Sequence, residues 1–375
     1  CCLHPDGLEE ALDHLIEQLQ RCKRGTSHFV DLKRGGFARF FFLTDNAVLE
    51  VLSTCDRQPA TIGKYLDKMF DNIAALEFDE DPSRGGLEAT AMRSMAGEIL
   101  TFGGVVPCRQ KPVECWLRAA EIEMRHSMES IIATTRASAH SCASAPEMLV
   151  SCTTQLALVV SGIRWTEQVE ACFRSARRDP HALRALCRAL KNELDAFVAH
   201  LAQVEADECG RARIEALITA ALQQYEVCCT MDSGELQDID AYHFEWLRHC
   251  RLYCDQQSER HWTTTVRIGQ ASFEYGCEFL GTQHRSVATP LRDRCYLSLA
   301  AALEGMRGGA LVGPPGCGKA DTVRGLAQAL GVFVLSFRCT ADAEPGYGAA
   351  ILKGVAQSGV WVCLEQFVSA RPPTC

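Results

Sequence analysis

The sequence predicts a mainly α-helical domain followed by an incomplete α/β module of the P-loop type. Three observations carry this. Apolar residues recur at helical spacing through most of the first 260 positions, and strand-forming runs begin near Trp262. The stretch Gly308–Leu330, GGALVGPPGCGKADTVRGLAQAL, sets a short apolar run, a glycine turn, a lysine and a helical pattern in succession. Two domains are expected, residues 1–261 and 262–375, with the helical part folding apart from the module.

Asp6-Gly7-Leu8-Glu9 is a capping-box pattern, and Leu8, Leu12, Leu15, Ile16 and Leu19 follow at helical spacing, so the first element is an amphipathic helix. The aromatic run Phe37–Leu43 suits a buried strand or a core-anchoring turn, after which Asp45 is placed to cap a helix from Asn46 to Ser53. Thr61–Leu76 carries a helical pattern. Glu98–Val106 has β character with Gly103-Gly104 as its hairpin turn, and Pro112 precedes a long helix through Val113, Trp116, Leu117, Ile122 and Met124.

From Pro146 to Cys229 the pattern is almost wholly helical. The stripes Leu156, Val159, Val160, Ile163 and Leu183, Leu186, Leu190, Leu194, Phe197, Leu201 call for long antiparallel helices in a bundle or arch, with loops near 177–180 and 206–210. Trp165 and Trp246 read as core residues rather than binding platforms. Beyond Trp262, Thr263–Ile268 and Ala271–Tyr275 have strand character, and a helix runs from about Asp293 to Leu303. Val332–Phe337 and Val360–Leu364 are continuous apolar runs, as in strands buried on both faces of a parallel sheet, with helix-capable sequence around Ala349–Gln357 between them.

Composition narrows the partners. The 375 residues are 47% hydrophobic with a net charge of −9 and a pI near 5.7, and no dense Lys/Arg block occurs. That balance speaks against nucleic acid or an anionic membrane as the main partner and for a protein or small molecule. No segment has the roughly 18 to 20 continuous apolar residues of a membrane helix. The 21 cysteines are scattered along the chain with no C-x-x-C pair, the usage of a reducing compartment such as the cytosol. His249, Cys250, Cys254 and His261 form one near-cluster, with Cys250 and Cys254 on one face of an expected helix. Ordinary packing is the preferred reading, since structural zinc sites favour tighter paired spacings. The opening CCLHPDG is neither a signal peptide nor an initiator methionine, so a piece of a longer protein is expected.

The chemistry concentrates at the glycine turn. Gly313, Gly316 and Gly318 permit backbone angles closed to other residues and bring successive N–H groups against an anion, and the helix opening near Lys319 adds its positive end. Ala310-Leu311-Val312 reads as the buried strand feeding this loop, Val323, Leu326, Ala327 and Leu330 as the helix stripe, and Gly331 as its stop. Gly313, Gly318 and Lys319 satisfy G-x-x-x-x-G-K-[ST], but Ala320 stands where the magnesium-binding hydroxyl belongs. The candidate nucleotide contacts are Gly313, Pro314, Pro315, Gly316, Cys317, Gly318, Lys319, Ala320 and Asp321, for ATP or ADP. The bland alternative is a glycine turn that binds nothing.

A P-loop enzyme usually has a second apolar strand ending in an Asp that holds magnesium and a carboxylate that polarises water. Here Val360–Leu364 ends in Glu365-Gln366. Glu365 is one methylene longer and so a weak candidate for Mg2+. Gln366 holds a water but accepts no proton, a disabled base whose loss costs about 10²- to 10⁴-fold in rate. Thr322 is a poor substitute for the missing hydroxyl, because two residues along a helix is another face.

These strings resemble the dynein heavy chain family. FARFFFLTDNAVLEVL at Phe37–Leu52 is similar to its linker signature, and VECWLRAAEIEM at Val113–Met124 and SGIRWTEQV at Ser161–Val169 to later linker segments. FEYGCEFLG at Phe273–Gly281, VATPLRDRCYLSL at Val287–Leu299, GPPGCGKADT at Gly313–Thr322 and LKGVAQSGVWVCLEQF at Leu352–Phe367 resemble the opening, nucleotide-approach loop, Walker A and Walker B of its first AAA+ module. The resemblance covers nearly the whole chain in the family's order and is nearest to the divergent, dynein heavy chain domain-containing members. It implies a force-transmitting helical linker leading into an AAA+ module truncated after Walker B, with Lys319 as the phosphate lysine and Val287, Pro290 and Leu291 as adenine-pocket candidates.

The departures at Ala320, Glu365 and Gln366 imply nucleotide binding with little or no hydrolysis, and a structural or regulatory role in a microtubule assembly such as a cilium or flagellum. The alternative is a fragment of an active minus-end-directed motor ATPase. Implied partners are dynein intermediate and light intermediate chains, other dynein or axonemal proteins and, indirectly, microtubules; the implied location is the cytoplasm and cytoskeleton, with the axoneme foremost. Sensor residues, the helical lid, an arginine finger worth about 10³- to 10⁵-fold and a microtubule-binding stalk are expected elsewhere than in this chain.

Overall fold

The computed structural model describes residues 8–55, 58–81, 86–109, 111–141, 150–175, 181–203, 208–233, 240–258, 261–282, 287–339 and 347–367. Asp6, the expected cap of the first helix, lies outside them. Helix α1 (Leu8–Gly36) is longer than its stripe foretold. Leu12, Leu15, Ile16 and Leu19 are at least half exposed, and burial begins only towards its C-terminal end, at Val30 and Arg34.

The aromatic run is a 3₁₀ turn (Ala38–Phe42), the core-anchoring alternative, with Phe37, Phe40, Phe41 and Phe42 all buried. In helix α2 (Asp45–Cys55) the cap is Thr44, whose hydroxyl accepts from Ala47 N at 3.4 Å; Asp45 is instead paired with Arg34 at 2.9 Å. The helical expectation for Thr61–Leu76 holds only to α3 (Gly63–Met69), because Ile73–Leu76 belong to strand β1 (Ile73–Asp81). There Ala75↔Arg93 and Leu76↔Met92 pair with β2 (Gly86–Ser94), and the ladder overrides the local pattern.

Strand β3 (Ile99–Pro107) pairs antiparallel with β2 and continues past Gly103-Gly104 through a bulge, the register stepping from Ala91↔Thr101 to Ala89↔Val106. The turn lies earlier, at Ser94–Glu98, where Gly97 takes φ 88°. Helix α4 (Val113–Ser141) crosses the bulge, Ser127 Oγ accepting from Gly103 N at 2.9 Å and Glu123 from Gly104 N at 2.7 Å, and at Gly104 a Cβ would stand 3.3 Å from Glu123.

Helices α5 (Thr154–Ser175), α6 (Ala182–Gln203) and α7 (Glu208–Asp232) form the expected arch, closed by the short turn α8 (Phe244–Leu247). Trp165 and Trp246 meet edge to face at 5.1 Å inside it, so both are core. Strands β4 (Arg251–Ser258), β5 (His261–Ile268) and β6 (Ala271–Glu274) form an antiparallel meander. Cys250 and Cys254 therefore share no helix face: Cys254 is buried in β4 beside Thr264. The expected boundary between 261 and 262 falls inside the β4–β5 hairpin, where Gln256 pairs with Trp262.

The module's elements are α9 (Pro290–Glu304), α10 (Lys319–Leu330), β7 (Val334–Arg338), α11 (Tyr347–Ser358) and β8 (Trp361–Glu365). β7 and β8 pair in parallel, Val334↔Trp361 to Arg338↔Glu365. Their burial is partial, with Leu364 38% exposed, so they are not covered on both faces. Ala310–Val312 is irregular and Val312 is 98% exposed, contrary to the buried strand expected, because β7 and β8 pair with each other and no described strand pairs with it.

Residues 275–282 strap the arm to the module. On one side Gly276 N donates to Leu330 O at 2.8 Å and Glu278 N to Gly331 O at 3.0 Å. On the other, Gln155 bonds Tyr275 Oη, Glu278 O and Leu280 N, while Asn72 donates to Leu280 O and Thr282 O. Arg39, fully buried, makes a fork to Glu278 at 2.6 and 2.8 Å and donates also to Glu121 and Met69 O.

Among the described residues, no helix is long and apolar enough to cross a membrane.

Candidate functional site

Gly316 and Gly318 both take φ 78°, the left-handed region that only glycine enters freely, and they fold the loop back on itself before α10. Gly318 is the N-cap and no side chain caps it, so the first N–H groups of α10 remain available to an anion. Lys319 Nζ lies over the loop, donating to Gly313 O at 2.8 Å and Pro314 O at 2.7 Å, with Cys317 Sγ at 3.6 Å. At Gly313 a Cβ would stand 3.1 Å from Cys317 Sγ. Residues 313–317 are exposed and Gly318, Lys319 and Ala320 half-buried, as a cradle open to solvent should be.

The β7–β8 register brings the second motif to the first. Ser336 pairs with Cys363 and Arg338 with Glu365, so all four share one face of the sheet. Arg324, one turn beyond Ala320 on α10, reaches down to that face. Its Nη2 donates to Ser336 Oγ at 3.1 Å and to Glu365 Oε1 at 3.2 Å, and its Nη1 to Asp321 at 3.2 Å. Arg338 stands 3.9 Å from Glu365 Oε2. Burial pushes the neighbouring Cys363 thiol up, with the Glu365 charge adding to it. Arg324 carries no motif signature; the signal that finds it is its i, i+4 spacing from Ala320.

A magnesium ion does not fit these residues. Ala320 offers no oxygen, the Thr322 hydroxyl donates to Gly318 O at 2.9 Å, and Glu365, expected as a weak metal ligand, is held by arginines instead. A cation placed about 4 Å from a guanidinium meets about 1 to 4 kcal/mol of repulsion per pair of unit charges, doubled for a divalent ion. Gln366 follows in the left-handed region at φ 58° and is exposed. Of the adenine-pocket candidates, Val287 and Leu291 are 68% and 69% exposed. Thr289 caps α9 through Arg292 N at 3.2 Å, and with Pro290 it lines a cavity of about 170 Å³ against Gln223 and Met231 of the arm. Among the described residues no group of three or more His, Cys, Asp or Glu is placed to hold a metal.

Fold and site together define a P-loop nucleotide-binding module that carries a helical arm. Residues 1–135 match the family described as dynein heavy chain, N-terminal region 2, and residues 275–371 the family described as the hydrolytic ATP binding site of the dynein motor region. The chain is 31% identical over 371 residues to dynein axonemal heavy chain 5 of Mus musculus, covering 98% of this chain and 8% of that protein. It is 30% identical over 370 residues to dynein axonemal heavy chain 10 of Homo sapiens, with the same coverage of each. To the cytoplasmic dynein heavy chain of Caenorhabditis elegans it is 28% identical over 369 residues, covering 96% of this chain and 8% of that one. The chain belongs to the dynein heavy chain family.

Proposed function

We propose that this chain is a linker and first nucleotide module of a dynein heavy chain type that binds ATP or ADP and hydrolyses it slowly or not at all. The observation that carries the reading is the contrast within one site. The cradle has two left-handed glycines, an uncapped helix and its lysine, whereas Ala320, Glu365 and Gln366 stand where the motif calls for a hydroxyl, an aspartate and a base. Binding needs the first half only. Backbone N–H groups take the phosphate oxygens, and Lys319 exchanges two carbonyl partners for anionic ones, which make stronger hydrogen bonds. Hydrolysis needs a base on water and charge neutralisation at the transition state, and Gln366 supplies no base.

In this reading nucleotide sets the state of a mechanical or regulatory part in a microtubule assembly, the axoneme of a cilium or flagellum foremost since axonemal heavy chains stand among its relatives. Other dynein subunits, intermediate and light intermediate chains among them, are the proposed partners. Titration calorimetry tests the core of it: ATP or ADP should bind, and Lys319→Ala should abolish the binding. Unchanged affinity in that variant would remove the P-loop from the account.

A further inference from the structure

We propose that Arg324 is the resident cation of the phosphate site, holding Glu365 where a divalent metal would otherwise be held, so that a nucleoside di- or triphosphate binds metal-free. The inference rests on the nucleotide-binding reading above and goes beyond it by naming the species bound and the residue that decides it. Arg324 follows Ala320 by four residues, so both lie on the face of α10 that looks onto β7 and β8. The missing side chain at Ala320 leaves that face clear. The guanidinium then makes its three polar contacts, to Asp321, Ser336 and Glu365, each at 3.1 to 3.2 Å.

An arginine carries its charge at every physiological pH and presents a planar fork that suits a carboxylate. It therefore neutralises Glu365 without any ion from solution, and a polyphosphate entering the cradle meets no bare carboxylate. Magnesium would have to displace it from Asp321, Ser336 and Glu365 together, and would still meet a second guanidinium, Arg338, at 3.9 Å from the other Glu365 oxygen. Such a site gives up the near-ideal octahedron that magnesium demands.

The test measures ATP and ADP affinity on the full chain with a fluorescent analogue, once in EDTA and once in excess Mg2+. The parent should bind alike in both. Arg324→Gln exposes the Glu365 charge, so its affinity in EDTA should fall about tenfold and be restored by Mg2+. Arg324→Gln with Glu365→Gln removes both charges and should bind in EDTA as the parent does, a rescue that a packing role for Arg324 would not give. Glu365→Gln alone, which keeps the cation, should also bind without metal. Added Mn2+, followed by its electron paramagnetic resonance signal with ADP present, should stay free with the parent and be bound by Arg324→Gln. Strict Mg2+ dependence or bound Mn2+ in the parent, or an Arg324→Gln protein that binds in EDTA like the parent, overturns the assignment of Arg324 and leaves the nucleotide reading standing. No binding by the parent in either condition overturns both.

Discussion

His249 is 7% exposed and sits between Arg248 and Arg251 at the entry to β4. Asp293 Oδ2 at 3.6 Å favours a charged ring, but burial and the two guanidinium groups outweigh it and hold the His249 pKa at about 4, against an ordinary 6.5. The unfolded chain therefore takes this proton first. Stability from His249 is complete above pH 6.5 and is lost as pH falls from 6.5 to 4, by about 3 kcal/mol in all. His249→Gln should flatten that part of the curve of unfolding free energy against pH, measured by urea denaturation; a parent and variant with parallel curves would show the ring is protonated in the fold. At this scale legibility followed chemistry. The loop of Gly313, Gly318 and Lys319 is legible because the motif fixes residue type and spacing together. Arg324 and Arg39 were not, since an arginine says nothing of its partner until the β7–β8 register or the 275–282 strap supplies one.

Elements were legible where one periodicity ran long, as in α4 to α7, and were misread where a short run admits two readings. Gly103-Gly104 looks like a turn, yet the pair sits in a bulge of β3 whose N–H groups donate to Ser127 and Glu123, and only at Gly104 would a Cβ be tight, 3.3 Å from Glu123. Ala310–Val312 has the residues of a strand, but a strand exists only when another pairs with it. The composition shift near Trp262 is real and marks a meander, not a joint. Strap 275–282 is bonded through Gln155, Asn72 and Arg39 to the arm, so we place the arm's end after residue 282. A chain cut at 260 leaves β4 without its partner and Arg39 without Glu278, whereas one cut at 282 keeps both. The longer piece should stay helical and unfold cooperatively, while the shorter should be less stable by several kcal/mol, since removal of one member of a buried ion pair alone costs about 3–5 kcal/mol. Circular dichroism melts of the two pieces decide it, and equal stability would return the boundary to 262.

Across the whole molecule one buried cluster runs from Val30 and Phe37 through Trp116 and Leu156 to Tyr275, Phe279, Leu326 and Leu330. A second seam sets Phe41 and Phe42 of the aromatic turn against Phe333 and Val360, close enough that a Cβ at Gly354 would stand 2.6 Å from that of Phe41. Arm and module thus share a core, from which we expect them to unfold together rather than apart as the composition shift suggests. Arg39 lies at its centre, with the Phe70 ring 4.5 Å and the Phe333 ring 5.6 Å from its guanidinium. Burial alone would lower its pKa, but Glu278 and then Glu121 raise it, so the charge is kept. Glu278, 2% exposed, depends on it in turn. Arg39→Met leaves that carboxylate with Arg125 alone, 3.6 Å from its Oε2, and should cost about 3–5 kcal/mol, part of it recovered by adding Glu278→Gln, which removes the under-compensated charge. Because the core is shared, hydrogen exchange should show the loss equally in α4 of the arm and in α10 of the module, and the recovery in both. If α4 loses protection while α10 exchanges as in the parent, arm and module are separate cooperative units, and the strap is a tether rather than part of one fold.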